Sequence, residues 1–405
     1  MKSKITFIEN NICAPIGFYS SAIAAGIRKP GKLDLSLIYS QVPAVAAGVF
    51  TKNKIKAAPL ALTKKNLKNG LLQAVIVNSG NANACTGKVG SIHAKQTIDK
   101  LALSLKIDSS LVAVSSTGVI GVIMPIDKII SHIPALCDGL AIDLHNQAAK
   151  AIMTTDTFIK EAAITVQLSG GSIKIGGIAK GSGMIHPNMA TMLGFFTTDA
   201  DIDHEVLQQA LTRVTNESFN MISVDGDTST NDMVLIMANK MAKNKPIKSL
   251  DSVDGKLFYE ALLHLSIILS KKIAQDGEGA TKLIEVVVSG AKSDKQAKKV
   301  AKAVVSSSLV KSAIFGNDAN WGRIACAVGY ADSHVNANKL KISLENLILF
   351  TDGVPLPFSE DEALQLLKQK NIAIHIDLGL GNAKSTAWGC DLSYDYIKIN
   401  AAYRT

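Results

Sequence analysis

Apolar runs and stretches with helical periodicity alternate from one end of the chain to the other. In the first half, residues 73–77 (QAVIV) form a short apolar run that ends in the Asn- and Gly-rich loop 78–87 (NSGNANACTG). Residues 91–106 carry apolar positions at helical spacing, and residues 111–116 (LVAVSS) form a second apolar run. This order predicts a strand, a helix of about 17 residues and another strand.

The second half follows the same order. Residues 164–181 (ITVQLSGGSIKIGGIAKG) alternate in polarity on both sides of Ser-Gly-Gly-Ser, which is a hairpin signal. A long helix is predicted over 254–276, and Ser293 is the predicted N-cap of a Lys-rich helix. The last strand is predicted over 394–400 (YDYIKIN). With no internal repeat or obvious linker, the pattern predicts one α/β or α+β body.

The composition indicates a soluble protein with an aliphatic core. Of the 405 residues, 47% are hydrophobic but only 5% are aromatic. The longest apolar stretch, 257–269, is shorter than the roughly 20 residues of a membrane helix, and it carries Glu260 and His264. The first residues lack the apolar core of a signal peptide, so a cytoplasmic location is expected.

The net charge of +9 suggests acidic partners, and nucleic acid is the first class to consider. Only four of the 43 basic residues are arginines, although arginine is the residue best suited to bidentate contacts with phosphates and bases. The lysines are spread along the whole chain. Small anionic substrates therefore fit the charge better than nucleic acid does, and a basic binding protein is kept as the non-enzyme alternative.

Several common chemical sites are excluded by their spacing. The five cysteines are an odd number, lie far apart and include no CxxC pair, which argues against a disulfide framework and a cysteine zinc site. Residues 225–232 (DGDTSTND) begin like a calcium loop, but Thr230 stands where the turn glycine belongs. Residues 180–183 (KGSG) lack the spacing of a phosphate loop. His186 has no partner histidine at i+4, so a structural, hydrogen-bonded role is favoured.

Small residues follow the apolar run 111–116. Thr117 and Gly118 offer one hydroxyl group and backbone N–H groups, a combination suited to stabilising a developing oxyanion. The same two residues would also suit an ordinary structural turn, which spacing alone favours. Both interpretations stay open from these residues by themselves.

Thr191 stands between a Gly-rich approach and the apolar run 192–196 (MLGFF). One interpretation is a structural threonine with high β-propensity at the edge of a strand. The other is a nucleophile, because cutting the Ala190–Thr191 bond would free the α-amine of Thr191. The pKa of an unperturbed α-amine is about 7.7–8.0, so this group could serve as the base for the hydroxyl group of the same residue. The small Ala190 and the flexible loop before it favour self-cleavage at this bond.

Eight segments, in order and over essentially the full length, resemble the bifunctional glutamate N-acetyltransferase/ornithine acetyltransferase family of arginine biosynthesis. The segments are 50–60 (FTKNKIKAAPL), 78–87 (NSGNANACTG), 116–121 (STGVIG), 180–193 (KGSGMIHPNMATML), 223–232 (SVDGDTSTND), 276–282 (DGEGATK), 316–324 (GNDANWGRI) and 389–405 (GCDLSYDYIKINAAYRT).

The resemblance implies a proenzyme that cuts itself into residues 1–190 and 191–405. The two products are expected to stay associated, as two copies of each, in a sandwich-like body of mixed sheets and helices. Thr191 is implied as the nucleophile that carries the acetyl group, and Thr117 and Gly118 as the donors to the oxyanion. Contacts to the substrate are implied for Thr191 and for five further residues: Thr154, Lys180, Glu278, Asn400 and Thr405.

The implied reaction moves the acetyl group of N-acetylornithine to glutamate through acetyl-Thr191, without a metal or a bound cofactor. Use of acetyl-CoA as a second donor is left open. Lys180 suits the α-carboxylates of both amino acids, and Glu278 suits the second ammonium group of ornithine. Without the resemblance, these two side chains would be taken as ordinary solvated charges. The enzyme alternative is an amidohydrolase or aminopeptidase with the same self-processed threonine, in which water replaces glutamate.

Overall fold

The computed structural model describes residues 5–28, 30–186, 192–331 and 334–402, and these residues form two mixed β-sheets surrounded by helices. The strands are β1 (Ile5–Ile8), β2 (Phe18–Ile23), β3 (Leu35–Phe50), β4 (Leu71–Asn81), β5 (Val112–Val119), β6 (Lys160–Leu168), β7 (Gly171–Lys180), β8 (Leu193–Thr198), β9 (Ile222–Ser223), β10 (Met233–Ala238), β11 (Leu283–Ala291), β12 (Lys341–Leu344), β13 (Leu347–Thr351), β14 (Val354–Pro355), β15 (Asn371–Asp377) and β16 (Ala383–Cys390). The α-helices are α1 (Ala58–Asn66), α2 (Gly87–Leu105), α3 (Ile126–Asp138), α4 (His145–Ala151), α5 (His204–Glu217), α6 (Val253–Gln275), α7 (Asp294–Ser306), α8 (Ser308–Phe315), α9 (Trp321–Gly329), α10 (Glu360–Leu367) and α11 (Tyr394–Ala402).

The first sheet has the order β1–β6–β7–β8–β10–β3–β4–β5, and β2 also pairs with β3. Its central strands β8 and β10 run parallel, with Leu193 opposite Met233, and antiparallel strands β7 and β3 flank them. Every residue of β8 and β10 is buried. The sequences LGFFTT and MVLIMA form this centre because their near-continuous apolar runs suit strands that are covered on both faces.

The second sheet has the order β14–β13–β12–β15–β11–β16–β9. Helix α6 lies between the two sheets, since it contacts β6 and β7 of the first and β16 and β9 of the second. Its buried residues Phe258, Leu262 and Leu269 belong to an apolar cluster that includes residues of both sheets. The structure therefore confirms the predicted fold class, a sandwich-like α/β body of mixed sheets and helices.

Several predicted elements are confirmed by the structure. The 164–181 hairpin is the antiparallel pair β6–β7, with Leu168 opposite Gly171 at the turn. The predicted long helix corresponds to α6, whose N-terminus is capped by Ser252. Ser293 caps α7 as predicted, because its side chain accepts a hydrogen bond from the amide of Gln296. None of the helices in the described ranges is long and apolar enough to cross a membrane.

The prediction of a strand over 394–400 is wrong, because this stretch lies in helix α11. Tyr394 and Ile397 have high β-propensity, yet they stand three residues apart and are 74% and 65% exposed. Asp395 and Lys398 form an i,i+3 ion pair with an N–O distance of 2.9 Å, a spacing that fits a helix surface. The helix turns Tyr396 and Asn400 toward the cleft described below.

Candidate active site

A cleft with a volume of about 140 Å³ lies where several elements end or begin. Its walls come from the ends of β5 and β7, the start of β8, the loop before β10, the loop after α6 and helix α11. The structure brings together six residues predicted for the site. They are Thr117, Gly118, Thr154, Lys180, Glu278 and Asn400.

Lys180 is the last residue of β7, and only 7% of its surface is exposed. Its Nζ donates a hydrogen bond to Thr154 Oγ1 at 2.7 Å and a longer one to Thr117 Oγ1 at 3.4 Å. Burial lowers the pKa of Lys180, and the carboxyl group of Asp156, 3.8 Å from Nζ, opposes this shift. The cleft thus contains a buried cation, which favours a ligand with a carboxylate.

A buried network of charges, not predicted from the sequence, supports Lys180. It consists of Asp156, Lys160 and Asp276, whose side chains are at most 2% exposed. Asp156 accepts hydrogen bonds from the amide of Gly181 and from Lys160 Nζ, both at 2.7 Å, and Lys160 also bonds to Asp276. Burial alone would raise the pKa of Asp156, but Lys180 and Lys160 lower it below its usual value. No local pattern signalled this network, because an i,i+4 spacing predicts an ion pair only on a helix, whereas Asp156 lies in a loop and Lys160 begins β6.

Thr117 and Gly118 lie within β5, which continues to Val119, and not in a turn after residue 116. Because Lys180 donates to Thr117 Oγ1, the hydroxyl hydrogen of Thr117 is left for another acceptor. Gly118 has a φ of 128°, and a Cβ there would stand 2.4 Å from the carbonyl carbon of Gly80 in β4. Packing alone therefore requires glycine at position 118. The hydroxyl group of Thr117, polarised by Lys180, therefore lies in the cleft near the end of β5.

Glu278 supplies a buried anion to the same cleft. It is 6% exposed, and its Oε2 accepts a hydrogen bond from Asn400 Nδ2 at 2.9 Å. Its amide donates to the carbonyl oxygen of Ser182 at 3.1 Å, which ties the loop after α6 to the end of β7. A Cβ on Gly183 would lie 2.4 Å from the Glu278 carboxyl group, so a larger residue there would displace this carboxyl group. A cation and an anion in one cleft suit a zwitterionic ligand.

Three further acids, Asp225, Asp227 and Asp232, line the cleft and were not predicted as site residues. Asp225 accepts hydrogen bonds from the amides of Met184 at 2.6 Å and Ile185 at 2.8 Å, and burial raises its pKa. Asp232 is 2% exposed, and its Oδ2 has no hydrogen-bond partner within the described part of the chain. Burial raises the pKa of Asp232 well above its usual value. These acids lie in the segment 223–232, which carries part of the resemblance, but neither the loop spacing nor the resemblance predicted a role for them.

Comparison with known proteins assigns the family. A model of the ArgJ family matches residues 19–405. The chain belongs to the ArgJ family.

Similar proteins carry the same family name. An arginine biosynthesis bifunctional protein ArgJ from Symbiobacterium thermophilum is 49% identical over 401 residues, which cover 98% of this chain and 100% of the relative. The protein of that name from Oceanobacillus iheyensis is 49% identical over 404 residues, 99% of this chain and 98% of the relative. A crystal structure of the Bacillus halodurans ArgJ is 50% identical with a TM-score of 0.50, and it covers 51% of this chain and 97% of its own.

Membership of the ArgJ family confirms the resemblance inferred from the eight segments. It makes the chain a bifunctional enzyme of arginine biosynthesis, so the alternative of a basic, non-enzymatic binding protein is wrong.

Three residues predicted for the ArgJ site lie outside the described residues: Thr191, its neighbour Ala190 and the C-terminal Thr405. Their roles stay predictions. Met192 and Leu193, which follow Thr191 in the sequence, line the cleft.

His186 of this ArgJ protein is hydrogen-bonded, as predicted. Its Nδ1 shares a hydrogen bond with Ser223 Oγ at 3.0 Å. Burial, with a smaller contribution from the nearby Lys302 cation, lowers the pKa of His186 to about 4, so the ring is neutral at neutral pH. Among the described residues, no group of three or more His, Cys, Asp or Glu side chains could hold a metal ion.

Proposed function

We propose that this ArgJ family member transfers the acetyl group of N-acetylornithine to glutamate through an acetyl ester on Thr191. The observation that carries the proposal is a cleft in which buried Lys180 and buried Glu278 lie with Thr117. N-acetylornithine carries a carboxylate and a side-chain ammonium group, which are the counter-ions of these two charged side chains. Glutamate also presents a carboxylate to Lys180, and its α-amine is the acceptor of the acetyl group.

In the first half-reaction, Thr191 Oγ1 attacks the acetyl carbonyl carbon while the α-amine of Thr191 takes the hydroxyl proton. The Thr117 hydroxyl and the Gly118 amide donate hydrogen bonds to the developing oxyanion. The C–N bond breaks, the ammonium group returns its proton to the leaving amine, and ornithine departs. In the second half-reaction, the amine of glutamate attacks the ester and loses a proton, and Thr191 Oγ1 regains one as N-acetylglutamate leaves.

The α-amine exists only after the Ala190–Thr191 bond is cut, so the proposal includes self-cleavage into residues 1–190 and 191–405. A chain of about half this length supports it, because the Bacillus halodurans chain matches 51% of this chain over 97% of its own length. The products are proposed to assemble as a heterotetramer with two copies of each. No metal and no bound cofactor take part in the proposed reaction.

The test supplies purified protein with N-acetylornithine in the presence and absence of glutamate. Transfer predicts N-acetylglutamate only when glutamate is present, together with an acetyl adduct on the 191–405 fragment when glutamate is withheld. Release of acetate without glutamate would instead indicate the amidohydrolase. Thr191→Ala is the control and is expected to give neither product.

Acetyl-CoA is the proposed second donor of the acetyl group. The relatives are named bifunctional, and acetylation of glutamate by acetyl-CoA would supply a second activity at the same nucleophile. Incubation with acetyl-CoA and glutamate is then expected to release the free thiol of CoA together with N-acetylglutamate. Absence of thiol release in a preparation that uses N-acetylornithine would limit the enzyme to the ornithine-dependent reaction.

A further inference from the structure

A second cavity lies beside the cleft, and transfer from N-acetylornithine makes no use of it. Its walls include Thr157, Phe158, Lys282, Lys370 and Ile399. The volume of this second cavity is about 510 Å³, within the range of about 300–1,000 Å³ that is typical of small-molecule sites. It is therefore large enough for an organic ligand and not only for a single ion.

The cleft and the second cavity are separated by a thin wall. In the loop after α6, Glu278 lines the cleft and the next residue, Gly279, lines the second cavity. In helix α11, Asn400 lines the cleft and the preceding residue, Ile399, lines the second cavity. Adjacent residues of the same segments thus face different cavities, so one long ligand can have an end in each.

The acids on the described walls of the second cavity are already paired. Asp276 accepts a hydrogen bond from the buried ammonium group of Lys160. Asp395 of α11 forms its ion pair with Lys398 at 2.9 Å. The negative charges of both acids are therefore compensated within the protein.

Two further lysines make the second cavity cationic. Lys282 directly precedes β11, and Lys370 directly precedes β15. These strands are parallel neighbours, and the amide of Leu283 donates to the carbonyl oxygen of Lys370 at 2.8 Å, so both lysines lie at one edge of the second sheet. Lysine binds phosphate groups as a compact point charge, so this pair favours a ligand with several negative charges.

An exposed aromatic ring adds a stacking surface to the same cavity. Phe158 is 37% exposed, and Lys160 Nζ lies over its ring at 5.0 Å from the ring centre. This cation–π contact holds the ring in place while part of it stays accessible to a ligand. An aromatic ring close to cationic side chains is the usual surface on which proteins stack a nucleobase.

We propose that the second cavity binds the nucleotide part of CoA and thereby directs the acetyl thioester into the cleft. The inference rests on the proposed use of acetyl-CoA as a second donor. Lys282 and Lys370 pair with the phosphate groups, and the adenine ring stacks on Phe158. The flexible chain between the phosphate groups and the sulfur atom extends past the loop after α6 to the cleft. N-acetylornithine has no nucleotide and does not occupy the second cavity.

Binding of adenosine 3′,5′-bisphosphate to the purified protein, measured by isothermal titration calorimetry, tests the inference directly. This probe has the phosphate groups and the adenine ring but no thioester. It is expected to bind, to raise the KM for acetyl-CoA and to leave the reaction with N-acetylornithine unchanged. Inorganic phosphate is the comparison, and equally tight binding of inorganic phosphate would overturn the assignment to a nucleotide.

Lys370→Glu reverses one charge of the second cavity. It is expected to weaken binding of the bisphosphate about 10-fold and to raise the KM for acetyl-CoA by a similar factor, with kcat/KM for N-acetylornithine unchanged. Lys368→Glu is the matched control, because Lys368 is also exposed but does not line the second cavity. The control makes the same change in net charge and is expected to bind the bisphosphate as the wild type does.

Phe158→Leu separates the adenine ring from the phosphate groups. The substitution keeps an apolar side chain and removes the aromatic ring, so binding of the bisphosphate is expected to weaken while that of inorganic phosphate stays unchanged. Wild-type affinity of Phe158→Leu for the bisphosphate would contradict the proposed stacking and overturn the assignment.

The remaining outcomes also decide the inference. Equal effects of Lys370→Glu and Lys368→Glu would overturn it, because net charge alone would then explain both. Inhibition of the N-acetylornithine reaction by the bisphosphate would overturn it too, since the nucleotide would then lie in the cleft. Thiol release from acetyl-CoA that is unchanged in Lys370→Glu removes only this inference. A wild-type protein that uses N-acetylornithine but releases no thiol would refute the proposed second donor and this inference together.

Discussion

At the scale of single residues, two opposite charges in one cleft predict how the substrates are distinguished. Both substrates carry a carboxylate, so Lys180→Ala is expected to lower kcat/KM for N-acetylornithine and for glutamate. Only ornithine brings a second ammonium group, so Glu278→Gln is expected to affect N-acetylornithine more. A hydrogen bond to a charged group contributes about 1.5–3 kcal/mol, which corresponds to about 10- to 100-fold in kcat/KM. Equal losses for both substrates in Glu278→Gln would contradict its assignment.

Thr117 provides the second prediction at this scale. Thr117→Val keeps the shape of the side chain and removes the hydroxyl group that Lys180 polarises. Loss of one oxyanion donor typically lowers turnover about 10²–10³-fold. We expect this loss in kcat with little change in KM or in the melting temperature. Unchanged turnover in a correctly cut Thr117→Val protein would mean that Thr117 is only a strand residue.

At the scale of elements, local patterns could be predicted and distant contacts could not. The β6–β7 hairpin and helix α6 were predicted because their signals lie within a few neighbouring residues. Helix α11 was mistaken for a strand because Tyr and Ile have high β-propensity, while the helix is fixed by its tertiary contacts, such as that of Asn400 with Glu278. Site residues inside long motifs were identified by resemblance. Asp276, at the end of α6, also lies inside such a segment, but it meets Lys160 only in the folded chain, so the segment alone did not reveal its role.

The buried network of Asp156, Lys160 and Asp276 joins three elements: the start of β6, the end of β7 and the end of α6. The site residues Thr154, Lys180 and Glu278 lie next to these elements. Asp156→Asn removes the negative charge that opposes the lowered pKa of Lys180. The Lys180 cation is then lost at lower pH, so the alkaline limb of kcat/KM for N-acetylornithine is expected to move to lower pH. Breaking a buried ion pair also costs about 3–5 kcal/mol of stability.

The pH profile distinguishes positioning of Lys180 from a general loss of stability. Asp199→Asn is the comparison, because the Asp199 side chain is also buried but does not act on Lys180. Its melting temperature is expected to fall while its alkaline limb stays at the wild-type pH. An unshifted limb in Asp156→Asn, measured on cut and folded protein, would make the network structural only.

At the scale of the whole molecule, the two proposed cleavage products both contribute strands to one continuous sheet. Strand β7 precedes residue 190 and β8 follows residue 191, and the two pair over six residues. Strand β10 of the second product pairs over six residues with β3 of the first. Two strands of one product are thus inserted between strands of the other, and both are fully buried. The two products could separate only by exposing this core.

The last prediction follows from that insertion. Wild-type protein is expected to run as two bands on a denaturing gel, with the second fragment beginning at Thr191, yet to elute as one species in size-exclusion chromatography. The fragments are expected to separate only in denaturant. Separation would break the β7–β8 and β3–β10 strand pairs and would expose fully buried apolar side chains to water. Thr191→Ala should remain a single 405-residue chain with the same elution volume and no transfer activity. Fragments that elute separately without denaturant would mean that the sheet does not hold the cut products together.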